Sequence, residues 1–132
     1  MTLEDSIYEE LLSTTAITAE VGSRIYRGWR TQESKVPCIT ILKISMTPVN
    51  ASAGPAGTES ARFQIDTWAT NAKSASRIAK AAKDALAGWS STSPASSSFR
   101  MDSEQEIPVE PDEGGGQWEY RVTQDFTVWY TP

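Results

Sequence analysis

The densest run of side chains that could do chemistry lies near the end of the chain. Its six carboxylates are Asp102, Glu104, Glu106, Glu110, Asp112 and Glu113. Two carboxylates can perform acid–base catalysis when an apolar pocket raises the pKa of one of them, and oxygen-rich loops can bind calcium. These acids instead crowd into a polar segment that ends in Gly114-Gly115-Gly116, which predicts a solvated hairpin loop. Because the EF-hand spacing is also absent, a solvated acidic tip is favoured over either kind of site.

The other groups on which enzymes depend are scarce. The chain has no histidine, which removes the commonest general base and the commonest transition-metal ligand. Its one cysteine, Cys38, opens an apolar segment and has no activating motif, so we interpret it as a small buried side chain. The glycine-containing stretch at 54–58 lacks the lysine of a phosphate loop. We therefore predict that the protein is not an enzyme and uses no metal or cofactor.

Length and charge narrow the class further. The 132 residues favour one domain, spanning 1–132, and the net charge of −5 argues against a protein that reads nucleic-acid sequence. No apolar run is long enough to cross a membrane, and the acidic N-terminus does not resemble a signal peptide. We expect a protein that starts in the cytoplasm.

The elements that must position these side chains follow from hydrophobic periodicity. An N-terminal helix capped by Thr2, a short helical turn at 16–21 and a helix from Asn71 to about Leu86 are predicted. Strands are predicted at 23–29, 38–46, 59–69, from 99 onward and at 118–130. The coarse order α-β-β-β-α-β-β predicts an α+β fold, with a small, mostly antiparallel sheet and helices packed on one face. Mobile loops are expected near 47–58 and 110–117.

Two groups of residues are candidates for an interface with other proteins. The outer face of the second long helix carries a basic stripe, formed by Lys73, Arg77, Lys80 and Lys83. This stripe is either the solvated side of an amphipathic helix or a contact for an acidic partner, such as the 102–113 segment of a neighbouring copy. Among the aromatic residues, Trp29 and Trp129 are candidates for an interface, whereas Trp68, Trp89 and Trp118 are assigned to the core or its rim.

Several segments, in their order and spacing, resemble one known family. They are VGSRIY at 21–26, VPCIT at 36–40, ARFQIDTWA at 61–69 with the alanine-rich helix after it, and YRVTQDFTVWY at 120–130. In this order they resemble the phage tail completion, or tail terminator, family. The resemblance spans nearly the whole chain and includes no catalytic motif.

The resemblance implies a structural protein of a phage or prophage, located in the virion tail or neck and in the host cytoplasm during assembly. Members form a ring, usually a hexamer, at the head-proximal end of the tail tube. The ring stops tube polymerisation and offers a surface to the head–tail connector, while DNA passes through it without sequence-specific binding.

Other functions stay open at this point. A different neck or connector adaptor protein fits the same sequence features almost as well. A small-ligand or calcium-binding domain that uses the acidic segment is a further alternative, as is an enzyme with a carboxylate pair near Asp102 or Glu104.

Overall fold

The computed structural model describes residues 2–30, 35–48, 59–110 and 118–131. Three helices and five strands follow one another in these residues. They are α1 (Leu3–Leu12), α2 (Thr15–Val21), β1 (Ile25–Arg27), β2 (Cys38–Pro48), β3 (Glu59–Ala69), α3 (Ala72–Leu86), β4 (Arg100–Val109) and β5 (Glu119–Tyr130). The predicted α+β class is confirmed. Most of the two loops expected near 47–58 and 110–117 lies outside the described residues.

One mixed sheet organises the molecule. Its strand order is β1-β2-β3-β5-β4, with β1 parallel to β2 and every other pair antiparallel. The central pair β3–β5 runs in unbroken register from Glu59 opposite Tyr130 to Ala69 opposite Tyr120. The strand β4 therefore lies at one edge of the sheet and the three-residue β1 at the other.

The helices cover one face of the sheet, which we call the covered face. Buried side chains from all three helices join one core cluster with inward-facing residues of β2, β3 and β5, among them Ile41, Phe63 and Phe126. Both predicted N-caps are present. Thr2 and Asp5 exchange backbone-to-side-chain hydrogen bonds at the start of α1, and Asn71 accepts from the Ser74 amide at the start of α3.

A smaller hydrophobic cluster, separate from the main core, lies between α3 and the strands β3 and β5. It contains Ala69, Ala75, Ala79 and Val122, with Tyr120 packed against it. Small alanines bring α3 close to the sheet here, as their spacing on the helix indicates. The covered face thus has an aromatic and aliphatic part and a small-residue part.

The opposite face, which we call the open face, is partly covered by the chain itself. After β1, the Gly28 amide donates to the Ile41 carbonyl oxygen at 2.7 Å, and φ of +80° at Gly28 lets the chain turn. The next residues bring the Arg30 side chain over the ring of Trp68. Cys38 and Thr40 are consequently buried although none of the described helices lies on this side.

The sheet departs from regular pairing at two places, and neither is Trp68. The sequence suggests a bulge or a strand end at Trp68, because an indole falls among the polar positions of β3. In the structure Trp68 alternates normally onto the open face without a bulge, so the bulge alternative is wrong, whereas β3 does end at the next residue, Ala69. The register shifts lie between Lys43 and Ser45 in β2 and between Met101 and Ser103 in β4.

The serine-rich segment between α3 and β4 is held against the rest of the molecule. The Ser97 amide donates to the Trp129 carbonyl oxygen at 2.8 Å, and the Thr131 amide donates to the Ala95 carbonyl oxygen at 3.0 Å. The Ser6 hydroxyl of α1 donates to the Ser93 carbonyl oxygen at 2.8 Å. The segment therefore fastens the end of β5 to α1.

Candidate assembly surfaces

The basic stripe of α3 is divided between internal and external roles. Arg77 donates through Nε to Glu20 of α2 at 2.7 Å, and the pKa of Arg77 is raised by this hydrogen bond and by the charge of Glu20. Lys80 pairs with Asp84 one turn along the same helix, at 3.0 Å. Lys73 and Lys83 are exposed and make no ion pair with any residue in the described part of the chain. These two lysines are thus the members of the stripe with charge available to a partner.

The acidic segment lies on the edge strand β4, where most side chains are exposed. Glu106 accepts a hydrogen bond from the Ser76 hydroxyl of α3 at 3.0 Å. Glu110 follows the strand and is exposed, whereas Asp112 and Glu113 lie outside the described residues. The acids of this edge are well placed to discourage unwanted pairing with another strand.

The basic helix and the acidic strand border the same groove within one molecule. The groove has a volume of about 250 Å³, and its walls are formed by Ser76, Ala79, Lys80, Lys83, Glu104, Glu106 and Val122. Two lysines and two glutamates therefore line the same groove. Whether the stripe also contacts the acidic segment of a neighbouring copy stays a prediction.

Gln124 of β5 connects three elements through two residues that line this groove. Its side-chain nitrogen donates to the Ala79 carbonyl oxygen of α3 at 2.9 Å and to Glu104 of β4 at 2.8 Å. The side chain is fully buried on the covered face. Its place among the apolar positions of β5 was the sequence signal for an inward-facing amide, although the sequence did not identify its two partners.

The open face carries a layer of charges arranged around one indole. The guanidinium groups of Arg30 and Arg121 lie 4.9 Å and 5.1 Å from the ring centroid of Trp68. Arg30 pairs with Glu119 at 2.8 Å, and Arg121 pairs with Asp66 at 3.2 Å. Each arginine on this ring therefore has its own carboxylate.

Two exposed tryptophans directly precede the residues of the Arg30–Glu119 ion pair in the sequence. Trp29 precedes Arg30 and is 84% exposed, and Trp118 precedes Glu119 and is 49% exposed. The interface role of Trp29 stays a prediction, whereas Trp118, which lies just before β5 begins, is too exposed for the core assignment.

Three further apolar side chains on the sheet, Ile44, Met46 and Trp129, are 43%, 41% and 40% exposed. Met46 lies opposite Ala61 of the covered face, whereas Trp129 lies opposite Ser60 of the open face, so these two side chains point to opposite sides of the sheet. The guanidinium of Arg100 lies 5.7 Å from the Trp129 ring centroid and pairs with Asp102 at 2.9 Å. Trp129 is exposed on the open face, as its position in the alternation of β5 predicts.

The groups considered for catalysis have environments that suit other roles. The Thr127 hydroxyl donates to Asp102 and lowers the pKa of that carboxyl, an effect to which Arg100 adds, whereas a general acid needs a raised pKa. Burial raises the pKa of the Cys38 thiol to about 11, which disfavours the reactive thiolate. Within the described ranges, no three acidic, cysteine or histidine side chains are grouped as metal ligands. None of the described helices is long and apolar enough to span a membrane.

Comparison with known proteins gives one family and one fold. The family model described as tail completion protein gp17 matches residues 5–131. Among solved structures, a chain from the virion of a native gene transfer agent particle is similar, with a TM-score of 0.71 and 16% sequence identity. The match covers 98% of this chain and 95% of that chain, and it shows a shared fold. No curated protein sequence matches.

Proposed function

This chain belongs to the tail completion protein gp17 family of phage tail structural proteins, and from that premise we propose that it forms a ring at the head-proximal end of the tail tube. There it stops polymerisation of the tube and provides the surface that the head–tail connector joins. The protein acts by assembly and catalyses no reaction. The family match over 5–131 is the observation that carries the proposal.

The size of the protein supports a ring. A compact chain of 132 residues has a radius of gyration of roughly 14 Å, so a single copy cannot enclose a DNA duplex. Several copies around one axis can, and a closed ring uses heterologous contacts in which two different surfaces meet at each junction. The net charge of −5 suits a channel through which DNA passes without binding, and a hexamer remains our expectation for the copy number.

The decisive experiment compares tail tubes assembled with and without this protein. We expect tubes of uncontrolled length in its absence. Adding the purified protein should stop growth, and light scattering should show several copies bound per tube end. Tube lengths that are the same with and without the protein contradict the proposal. Binding to purified connector, with none to tube ends, identifies a connector adaptor instead.

Charge reversal on α3 tests the electrostatic contribution of the basic stripe. The double variant Lys73→Glu/Lys83→Glu changes two lysines that have no ion pair among the described residues, so we expect it to fold normally. If the stripe contacts an acidic partner, the variant should cap tubes more weakly than the wild-type protein does. Arg77→Glu combined with Lys80→Glu is a less specific test, because Arg77 also holds Glu20. Unchanged capping by the first variant removes the electrostatic contact.

A further inference from the structure

We propose that the outer edge of β4 binds the outer edge of β1 in a second copy of this chain, so that the sheet continues from one subunit into the next. This inference rests on the proposed ring and names the contact that would close it. In this arrangement Glu106 of one copy lies opposite Arg27 of the next, and Ile107 lies opposite Tyr26. The same contact repeats around the ring, because two different surfaces of identical copies meet at each junction.

The direction of the two edge strands is the first observation. Among the described residues β1 and β4 each pair with one neighbour, which leaves each strand an outer edge whose N–H and C=O groups can pair with another chain. Since β1 is parallel to β2, and three antiparallel pairings separate β2 from β4, β1 runs antiparallel to β4. In a neighbour of the same orientation, β1 therefore continues the sheet beyond β4 as one more antiparallel strand.

The backbone groups at the outer edge of β4 are the second observation. The Ser97 amide donates to the Trp129 carbonyl oxygen, so odd-numbered residues of β5 direct their backbone polar groups toward the β4 side. Beyond the register shift their partners in β4 are also odd-numbered, so Glu104, Glu106 and Pro108 direct theirs away from the sheet. Pro108 has no N–H, which agrees with this outward position.

The outer edge of β1 presents its backbone groups in the same way. The Gly28 amide donates to the Ile41 carbonyl oxygen of β2 at 2.7 Å, so alternation directs the backbone groups of Ile25 and Arg27 away from β2. The Ile25 amide already donates to the Ser23 carbonyl oxygen at 2.8 Å. Among the described residues, this leaves the N–H and C=O of Arg27 as the complete pair of groups for an added strand.

The side chains at the two edges fit one register. Glu106 accepts from Ser76 of α3 and Arg27 donates to Asp5 of α1, so both side chains lie on the covered face. The two edges therefore meet with their helices on the same side of the sheet. With Glu106 opposite Arg27, the two residues exchange both backbone hydrogen bonds and bring opposite charges together. The pairing ends two residues further along β4, where Pro108 has no N–H to donate.

The groove between α3 and β4 favours the same partner. Lys83 and Glu106 both line it, and Lys83 has no ion pair among the described residues. Arg27 is bound to Asp5 and lies 3.7 Å from Glu4. Placing Arg27 of a neighbour beside Glu106 thus brings two carboxylates of that neighbour to the groove, where they attract Lys83. These opposite charges offset the repulsion between copies with a net charge of −5.

Disulfide cross-linking tests the register directly. The protein is prepared as Tyr26→Cys/Ile107→Cys in a Cys38→Ala background, so that the introduced thiols are the only ones, and is oxidised with copper phenanthroline on purified tail tubes. Opposite residues of a non-hydrogen-bonded antiparallel pair lie about 4.5 Å apart at Cα, within the range of a disulfide. We expect a ladder of dimers and higher multimers on a non-reducing denaturing gel.

The matched control for the cross-link is Tyr26→Cys/Ser103→Cys in the same background. Ser103 lies on the same face of β4 as Ile107 but about 13 Å away along the strand, so this variant should stay monomeric. Mixing the single variants Tyr26→Cys and Ile107→Cys should give dimers only, because each chain then carries one half of the contact.

A proline at the edge tests the backbone hydrogen bonds without any thiol. Proline is tolerated where the N–H points away from the sheet, so Glu106→Pro should keep the pairing of β4 with β5, as circular dichroism can check. The control Glu106→Ala removes the same carboxylate but keeps the N–H. We expect Glu106→Pro to require about fivefold more protein than Glu106→Ala to cap half of the tube ends, the effect of losing one hydrogen bond.

The outcomes separate the contact from the ring. A ladder from the Ile107 pair, with none from the Ser103 pair, supports the contact. Equal cross-linking by the two pairs, or none from either on tubes that both variants cap, overturns the contact and leaves the ring intact. If the cysteine variants do not cap tubes, the proline comparison decides, and equal capping by Glu106→Pro and Glu106→Ala overturns the contact. If wild-type protein does not bind tube ends at all, the proposed function itself fails, and the contact fails with it.

Discussion

The two faces of the sheet are stabilised in different ways. On the covered face, Phe63 and Phe126 are fully buried beneath helices, and apolar burial supplies the stability. On the open face, burial is achieved by arginines lying on an indole, with carboxylates as their partners. The same sheet thus has one side built like an ordinary protein core and one side built from paired charges.

The open face is the less completely satisfied of the two. Three buried side-chain polar atoms on it have no hydrogen-bond partner among the described residues, namely Asp66 Oδ1, Arg121 Nε and Thr123 Oγ1. The covered face has two such atoms, on Thr67 and Gln124. Buried polar groups without partners reduce stability. Each face therefore retains buried polar atoms without a partner among the described residues, and the open face depends more on paired charges than on apolar burial.

The largest expected effect is on the covered face. Phe126→Ala should lower the free energy of unfolding by about 3–5 kcal/mol, because it removes a fully buried ring and leaves a cavity. Urea denaturation followed by circular dichroism measures the change. A loss below about 1 kcal/mol would contradict the central place that the structure gives this ring.

High pH should weaken the covered face through Tyr130. Burial raises the pKa of Tyr130 from 10.0 to about 12. The hydrogen bond that the Tyr130 hydroxyl donates to Glu59 at 2.8 Å and the negative charge of Glu59 add to the shift. The stabilisation is therefore complete below pH 10 and is lost as the pH rises through 12, with a total of about 2–3 kcal/mol. Denaturation across this pH range measures the loss. Tyr130→Phe serves as the control and should remove this part of the pH dependence, so identical profiles for both proteins would argue against it.

A smaller effect is expected from breaking a charge pair on the open face. Asp66→Ala leaves Arg121 without its carboxylate and should cost about 1–3 kcal/mol of unfolding free energy, less than Phe126→Ala. Lys80→Ala, which breaks an exposed pair on α3, is the control and should change stability by about 0.5 kcal/mol or less. Equal losses from Asp66→Ala and Lys80→Ala would show that the open face is not a buried layer.

The smallest expected effect concerns protection of the thiol beneath the open face. Cys38 lies directly across from Trp68 in the β2–β3 pairing, so Trp68→Ala should expose it and accelerate its reaction with a thiol reagent at pH 8 by about tenfold, or about 1.4 kcal/mol. The control is Trp129→Ala, which removes an indole from the same face but at the opposite end of the sheet. In this control the Cys38 thiol should react at the wild-type rate, and equal acceleration in both variants would indicate that the whole fold has become less stable.

Much of the covered face is predictable from local sequence. The spacing of Ala75, Ile78, Ala82 and Leu86 identifies α3, and Asn71 marks its start. Alternation along β5 identifies the residues that face the core. It includes Gln124, a polar residue that hydrophobicity alone would not assign to the core. Periodicity identifies these elements because each one buries a continuous stripe against a single neighbouring layer.

The open face and the candidate surfaces are less predictable because they depend on contacts between distant segments. Arg30 and Glu119 are 89 positions apart, and no local pattern links them. Trp118 continues the apolar alternation of β5, which is why the sequence assigns it to the core or its rim, whereas in the structure it is half exposed. Similarly, the basic and acidic segments were recognised by composition, but only the fold shows that they border one groove.

The two register shifts have a consequence for the outline of the molecule. They flank the central strands at the level of Phe63 and Phe126, so β2 and β4 each carry one additional residue beside the same rung of the sheet. Such insertions bend a strand and increase its twist. Curvature is therefore built into the main chain on both flanks of the sheet, where substitutions of surface side chains would leave it unaltered.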